Sequence, residues 1–170
     1  MAKTALPLLW LPIETMKKSP KQADPDALLK RMAGLCARSE QCTFDIATKL
    51  FKAGLPRDKR EEIIDYLTAN RYLDDARFAR SFASYKVRFA AWGKRKIRMA
   101  LAAKRIGGAQ IADALDAIEE RDYEEALQRV IESKKRDLDL SDREQRAKLY
   151  RSLLSRGFES DFISKAISNL

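Results

Sequence analysis

The sequence predicts an all-α protein, an elongated tandem array of three three-helix repeats. Val occurs only as Val87 and Val130, whereas Ala, Leu, Lys, Arg and Glu are abundant, a composition that favours helices over sheets. Gly and Pro are scarce, at six and five. Apolar residues recur at helical spacing, and this pattern returns three times along the chain.

The repeats align without gaps through their second and third helices, at an offset of 51 residues and then 52. The corresponding apolar residues are Ile46, Ile97 and Leu149; Leu50, Leu101 and Leu153; Ile64, Leu115 and Ile167; Leu67, Ile118 and Leu170. The turn position is held by Gly54, Arg105 and Gly157. Since Arg105 stands where the other repeats have glycine, we expect its turn to close differently, using Gly107.

The chain divides into four parts. Residues 1–26 are predicted to form a flexible N-terminal arm, whose Trp10 is more simply part of a disordered tail than a docking anchor. Residues 27–73, 74–121 and 122–170 are the repeats, each too small to bury a core alone, so neighbours must stack or be tied together.

Two serines are predicted to begin helices. Ser39 is a candidate N-cap for the second helix of the first repeat, and Ser141 with Glu144 forms an S-x-x-E capping box.

The net charge of +9 is concentrated in the second repeat. Residues 74–121 carry +5 and residues 122–170 carry zero; from Ala76 to Ala112 there are ten Lys or Arg and no Asp or Glu. A basic surface attracts nucleic acid, anionic membrane or acidic protein. The alternative to a binding surface is that these charges are simply solvated on the outside of ordinary helices.

The composition argues against an enzyme. The chain lacks histidine, and Cys36 and Cys42 lack the spacing and the partners of a zinc site. The sequence shows no Walker loop, nucleophile elbow or dinucleotide fingerprint. The apolar run in the arm is far shorter than the ~20 residues that span a bilayer. We therefore expect no cofactor, no metal, no membrane partner and reduced thiols in a cytoplasmic protein.

The basic helix of the second repeat is the candidate interface. Ile97 and Leu101 form its buried stripe, while Lys94, Arg98 and Arg105 lie on one flank, within ~40° of each other. Trp92 either staples the start of this helix or is an exposed anchor. The candidate contact residues are Arg77, Arg88, Trp92, Lys94, Arg95, Lys96, Arg98, Lys104 and Arg105.

Two further patterns admit two readings each. The residues Phe78, Phe82, Tyr85 and Phe89 fall at i, i+4, i+7 and i+11. They could form a base-stacking platform, but strict helical spacing favours core, with Tyr85 at its edge. The pair Asp74 and Asp75 could suggest catalytic carboxylates; with no base or metal ligand nearby in sequence, helix capping is favoured.

Several of these motifs resemble the RecX family of recombination regulators. The segment YLDDARFA, residues 72–79, is close to a family pattern, followed by Gly93 to Ile97 and by RGF at 156–158. The residues shared as a structural motif are Tyr72, Leu73, Asp74, Asp75, Phe78, Gly93 and Gly157. The resemblance spans roughly 27–170; Lys96 and Arg105 depart from the family pattern.

The resemblance implies a function that composition alone does not. Proteins of this family look like three-helix arrays that bind the RecA recombinase filament on DNA and limit its strand exchange, ATP hydrolysis and coprotease activity. The implied partners are the RecA filament and single- or double-stranded DNA, bound without sequence preference. The alternative is a helical DNA-binding module that acts without RecA.

Overall fold

A computed structural model describes residues 24–168, and every regular element in that range is helical. The helices are α1 Pro25–Arg38, α2 Thr43–Lys52, α3 Arg57–Ala69, α4 Asp75–Ala90, α5 Lys94–Ala103, α6 Gly108–Asp116, α7 Glu120–Lys135, α8 Arg143–Ser155 and α9 Ser160–Ser168. This confirms the all-α prediction. The predicted arm, apart from its last three residues, and Leu170 lie outside the described residues.

The helices follow one another as three groups of three: unit 1 (α1–α3), unit 2 (α4–α6) and unit 3 (α7–α9). The aligned apolar positions of the second helices are all buried. Each of the following is fully buried: Ile46, Ile97, Leu149, Leu50, Leu101 and Leu153. The sequence periodicity therefore located one apolar frame, used three times.

The turn between the second and third helices of each unit is the same in all three. Its left-handed residue has φ 78° at Gly54, 60° at Arg105 and 90° at Gly157. The expectation that Arg105 changes the turn is wrong, because the next amide, of Ile106, donates to Leu101 as its counterparts do. A left-handed non-glycine residue costs roughly 1–2 kcal/mol. Gly107 is the N-cap of α6 instead.

The buried residues form two separate cores. One belongs to unit 1 alone and includes Met32, Ile46, Leu50 and Leu67. The other is continuous through units 2 and 3, from Phe78 on α4 to Ile163 on α9, and also takes in Cys42 and Phe44 at the start of α2. Stacking of neighbours therefore joins units 2 and 3 into one body, whereas unit 1 keeps a core of its own and reaches the larger core only through the start of α2.

Polar contacts join unit 1 to unit 2. The amide of Thr43 donates to the Asp75 carboxylate at 2.8 Å. Arg77 pairs with Glu40 at 2.7 Å, and Lys104 pairs with Asp45 at 2.6 Å. Unit 1 is thus attached mainly through the start of α2, and the attachment uses two of the predicted contact cations.

The predicted serine caps are wrong. Ser39 follows α1 as its C-cap, and α2 has Cys42 at its N-cap without a side-chain hydrogen bond. The N-cap of α8 is Asp142, whose carboxylate accepts from the amide of Glu144 at 2.9 Å. Two carboxylates compete with the serines here: Asp142 caps α8, and Asp75 of unit 2 reaches the first turn of α2.

Candidate partner and nucleic-acid interface

The basic helix α5 is fixed to unit 3 by two glycines that touch backbone to backbone. A Cβ added to Gly93 would lie 2.1 Å from the carbonyl carbon of Gly157, and one added to Gly157 would lie 2.4 Å from the Lys96 amide nitrogen. No side chain fits between these turns. The two glycines that carry the family resemblance thus dock on each other, across 64 residues of sequence.

The first amides of α5 all have partners within the protein. Gly93 donates to the carbonyl of Arg156 at 2.8 Å, and Arg95 donates to that of Gly157 at 3.0 Å. Lys94 donates to the Tyr123 hydroxyl at 3.0 Å. Free amides at a helix start bind anions, and here unit 3 occupies them. Any anion recognised by α5 must therefore contact side chains.

Tyr123 continues this contact into unit 3. Its hydroxyl donates to Glu159 Oε2 at 2.5 Å, and its ring packs against Phe158 and Phe162. Burial, followed by the hydrogen bond to Glu159, raises the pKa of Tyr123 well above its ordinary value. The phenol therefore stays protonated and keeps donating over the whole physiological range.

The buried stripe of α5 agrees with the prediction from spacing, but the predicted flank of Lys94, Arg98 and Arg105 is wrong at Arg105, which lies in the turn beyond the end of α5 at Ala103. Ile97 and Leu101 are fully buried. Arg95, Arg98 and Met99 are exposed on the opposite side, with Lys96 half-buried beside them. Among the residues that the structure describes, no Asp or Glu pairs with Arg95, Lys96 or Arg98. We call these three cations the basic side of α5.

The remaining predicted cations have internal partners. Arg77 and Lys104 pair across the junction with unit 1, and Arg88 pairs with Asp122 of α7 at 2.6 Å. Arg105 lies over the Phe44 ring at 5.3 Å, and Lys94 over the Tyr123 ring at 5.3 Å. Arg77, Arg88 and Lys104 thus bridge neighbouring units in the free protein. Their acidic partners are far away in sequence, so local patterns did not reveal these pairs.

Trp92 is half-buried between two lysines. The Nζ atoms of Lys86 and Lys96 lie 4.7 and 4.5 Å from its ring centroid, and the Phe82 ring meets it edge-on at 6.4 Å. The indole packs on the core of units 2 and 3, as a staple would, and keeps an exposed part; its role as an anchor for a partner stays a prediction. It joins the basic side of α5 to α4.

The prediction that the α4 aromatic stripe is core is wrong for Phe89, whereas Tyr85 lies at the exposed edge, as predicted. Phe78 is buried and Phe82 half-buried, but Tyr85 is 56% exposed and Phe89 is 75% exposed. Besides Phe78, the buried residues of α4 are Ala79, Ala83 and Val87. Small residues there let α6 and α7 approach α4 closely, and the larger rings turn outward.

The aspartate pair is structural, as the sequence favoured. Asp74 caps α4 by accepting from the Arg77 amide at 2.9 Å, and this hydrogen bond lowers the pKa of Asp74. Asp75 accepts from the Thr43 amide of α2. The flanking Leu73 is buried and Tyr72 is partly exposed. The motif thus begins α4 and attaches unit 1 at the same point.

Residues 24–168 contain no group of three or more acidic or cysteine side chains placed to hold a metal ion. None of the helices in this part of the chain has both the length and the apolar character needed to cross a bilayer.

Family models match the second and third units of this chain. The model of the second three-helix domain of RecX matches residues 74–115, and that of the third three-helix domain matches residues 122–167. Regulatory protein RecX of Vibrio parahaemolyticus is 31% identical over 134 residues, covering 79% of this chain and 85% of its own length. That of Pseudomonas fluorescens is 32% identical over 144 residues, covering 84% and 90%.

Solved structures support the fold. A crystal structure of regulatory protein RecX superposes with a TM-score of 0.73 at 23% identity, over 86% of this chain and 72% of that one. The crystal structure of RecX from Lactobacillus salivarius gives a TM-score of 0.71 at 21% identity, over 86% and 96%. The three-helix organisation is therefore shared even where sequence identity is low.

Proposed function

The chain belongs to the RecX family, and from this membership we propose that it binds the RecA filament and limits its recombination, ATPase and coprotease activities. It would do so by binding rather than by catalysis, in the cytoplasm, where RecA polymerises on DNA. Non-specific contacts to DNA phosphates are part of the same proposal.

One observation supports this proposal most strongly: the basic side of α5 is exposed on a helix whose other contacts are fixed. Arg95, Lys96 and Arg98 have no acidic partner among residues 24–168, while unit 3 satisfies the amides at the start of α5. Cations without acidic partners on a fixed helix can bind an anionic surface without first ordering the backbone. Acidic protein and DNA phosphate, both present on a RecA–DNA filament, are surfaces of this kind.

The test is titration of the protein into RecA hydrolysing ATP on single-stranded DNA. We expect wild-type protein to reduce ATP hydrolysis, and Arg95→Glu with Arg98→Glu to lose most of that inhibition. Both arginines are exposed, so helicity should not change. Lys94 is left intact because it contacts Tyr123.

The matched control is Arg143→Glu with Arg151→Glu on α8, the equivalent helix of unit 3. Both side chains are exposed and carry the same charge change. Inhibition should survive in this control. Equal inhibition by wild type and the α5 variant would refute the assigned surface, and no inhibition by wild type would refute the function.

The second candidate is a DNA-binding module that acts without RecA. The three-helix units favour it, because such units resemble helix-turn-helix domains that grip duplex DNA. Anisotropy of labelled duplex distinguishes the two. Tight binding at physiological salt that is unchanged by RecA–ATP filaments would support this candidate against the first.

A further inference from the structure

Two aromatic rings of α4 are exposed to solvent in the most basic part of the chain. The ring centroids of Tyr85 and Phe89 lie 5.0 Å apart. Scattered exposed apolar residues are ordinary, but adjacent exposed rings form a patch that water solvates poorly. The pair is therefore a candidate contact surface that the packing of the three units does not use.

Cations border this pair on both sides. Lys86 Nζ lies 5.6 Å from the Tyr85 ring and also contacts Trp92, whose other neighbour is Lys96. A groove beside Phe89 is lined by Phe89, Ala90, Ala91, Arg129, Val130, Ser133 and Arg156. Positive charge thus continues from the basic side of α5, past the rings, into this groove.

The two arginines in the groove are positioned by the backbone. Arg129 donates to the carbonyl of Val87 at 3.1 Å, and Arg156 donates to that of Ala90 at 3.4 Å. These bonds hold both guanidinium groups at the carboxyl end of α4. Each guanidinium carries five N–H donors, so one backbone bond leaves donors for a phosphate.

We propose that Tyr85 and Phe89 are a stacking platform for the unpaired bases of single-stranded DNA, with Lys86, Arg129 and Arg156 contacting its phosphates. Exposed rings interleaved with cations are the means by which proteins bind single strands without sequence preference. In a duplex, the base faces are covered by neighbouring bases. This deepens the proposed function, because it rests on the DNA contact and specifies the single strand.

A protein partner is the other possible occupant of the patch. Protein interfaces are depleted in Lys at their centres, because desolvating an ammonium group is costly. Here Lys86 lies against Tyr85 and Trp92, near the middle of the patch. A phosphate backbone would neutralise it, and charge therefore favours nucleic acid.

The experiment measures anisotropy of a labelled thymidine oligonucleotide and of a duplex of equal length with the full chain. We expect Tyr85→Ala with Phe89→Ala to weaken single-strand binding about tenfold or more while changing duplex binding little, given the measured strength of base stacking. Tyr85→Phe with Phe89→Tyr keeps both rings and should retain wild-type affinity. Circular dichroism checks that the fold is unchanged.

The control is Tyr66→Ala on α3. Tyr66 is 49% exposed but follows Asp65 in sequence and lies one helical turn after Glu62, so its surroundings repel phosphate. Single-strand binding should not change. An equal loss with Tyr66→Ala would overturn the platform, because exposed aromatic area alone would then explain the effect.

Three other outcomes matter, and the last two separate this proposal from the proposed function. Unchanged single-strand affinity of the Tyr85 and Phe89 double alanine variant would overturn the platform. If that variant binds the strand normally but no longer inhibits RecA, the occupant is protein, so the platform fails while the regulatory function stands. If wild type does not inhibit RecA but needs both rings for the strand, the function fails and the platform stands.

Discussion

Units 2 and 3 have the same apolar frame and differ in the use of its surface. Ile97 and Leu101 of unit 2 correspond to Leu149 and Leu153 of unit 3, and all four are fully buried. Residues 74–121 carry +5, whereas residues 122–170 carry no net charge. The same apolar frame therefore carries an exposed basic side in unit 2, whereas in unit 3 it carries the turn that holds α5 in place.

The difference shows how a repeat array can assign roles to its copies. The turn between α8 and α9 of unit 3, at Gly157, lies against the start of α5 and accepts its amide hydrogens. A strongly basic unit 3 would place like charges beside the basic side of α5 and destabilise the contact. The neutrality of unit 3 is consistent with a role in holding α5.

The largest effect should follow from separating these two units. Gly93→Ala puts a methyl group where the Gly157 backbone already lies, at 2.1 Å. Because the obstacle is backbone, we expect a loss of more than about 3 kcal/mol in unfolding free energy. Gly34→Ala is the control: nothing lies within 4 Å, and a helical Gly→Ala change should stabilise by about 0.5–1 kcal/mol. Denaturant unfolding measures both, and a mild effect at Gly93 would contradict the close contact.

Cavities created in the two cores should destabilise different units. Leu101→Ala and Leu50→Ala each remove a fully buried side chain and should each cost about 2–5 kcal/mol locally. Because Leu50 and Leu101 lie in different cores, Leu50→Ala should speed amide hydrogen exchange in α1 to α3, and Leu101→Ala in α4 to α9. Uniform acceleration by either variant would show one cooperative body instead.

The stability that the Tyr123 contact between α5 and unit 3 contributes should fall at alkaline pH. Tyr123→Phe leaves Glu159 and the Lys94 amide without a partner, which should cost about 1–3 kcal/mol near neutral pH. The folded pKa of Tyr123 is raised, so its stabilisation is complete below the unfolded pKa, about 10, and declines as pH rises. The stability difference between wild type and variant should therefore shrink above about pH 10. A constant difference would mean that Tyr123 ionises equally in both states.

The smallest effect concerns the turn that all units share. Arg105 adopts φ 60° where the other units have glycine. Arg105→Gly should remove that strain and stabilise by up to about 1 kcal/mol, after the added entropy of the unfolded chain. Thermal unfolding checks this. A loss of stability would show that the contact of Arg105 with Phe44 outweighs the strain.

The apolar frame and the repeat register could be predicted from sequence, because burial imposes a helical period that each unit repeats. The partners of the charged residues could not. Arg77–Glu40 and Lys104–Asp45 join residues 37 and 59 positions apart, and local patterns carry no signal for such pairs. The Gly93–Gly157 contact was equally hidden, although both residues had been singled out as a motif.

The error on α4 has a physical cause. The aromatic residues of α4 have helical spacing, and large rings usually supply most of the buried area, so they were predicted to be core. Ala79, Ala83 and Val87 follow an equally regular spacing of four residues and are the buried set. Close approach of α6 and α7 favours small side chains on that face. The exposed set is the one that carries the proposed platform.

The central claim is that α5 of unit 2, and not its counterpart in unit 3, faces the RecA filament. Site-specific photocrosslinking tests it most directly, with Met99→p-benzoylphenylalanine on α5 and Arg151→p-benzoylphenylalanine at the equivalent exposed position on α8. On RecA filaments assembled on single-stranded DNA, we predict adducts to RecA or DNA from position 99 and few from position 151. Equal yields, or adducts from position 151 alone, would contradict the account.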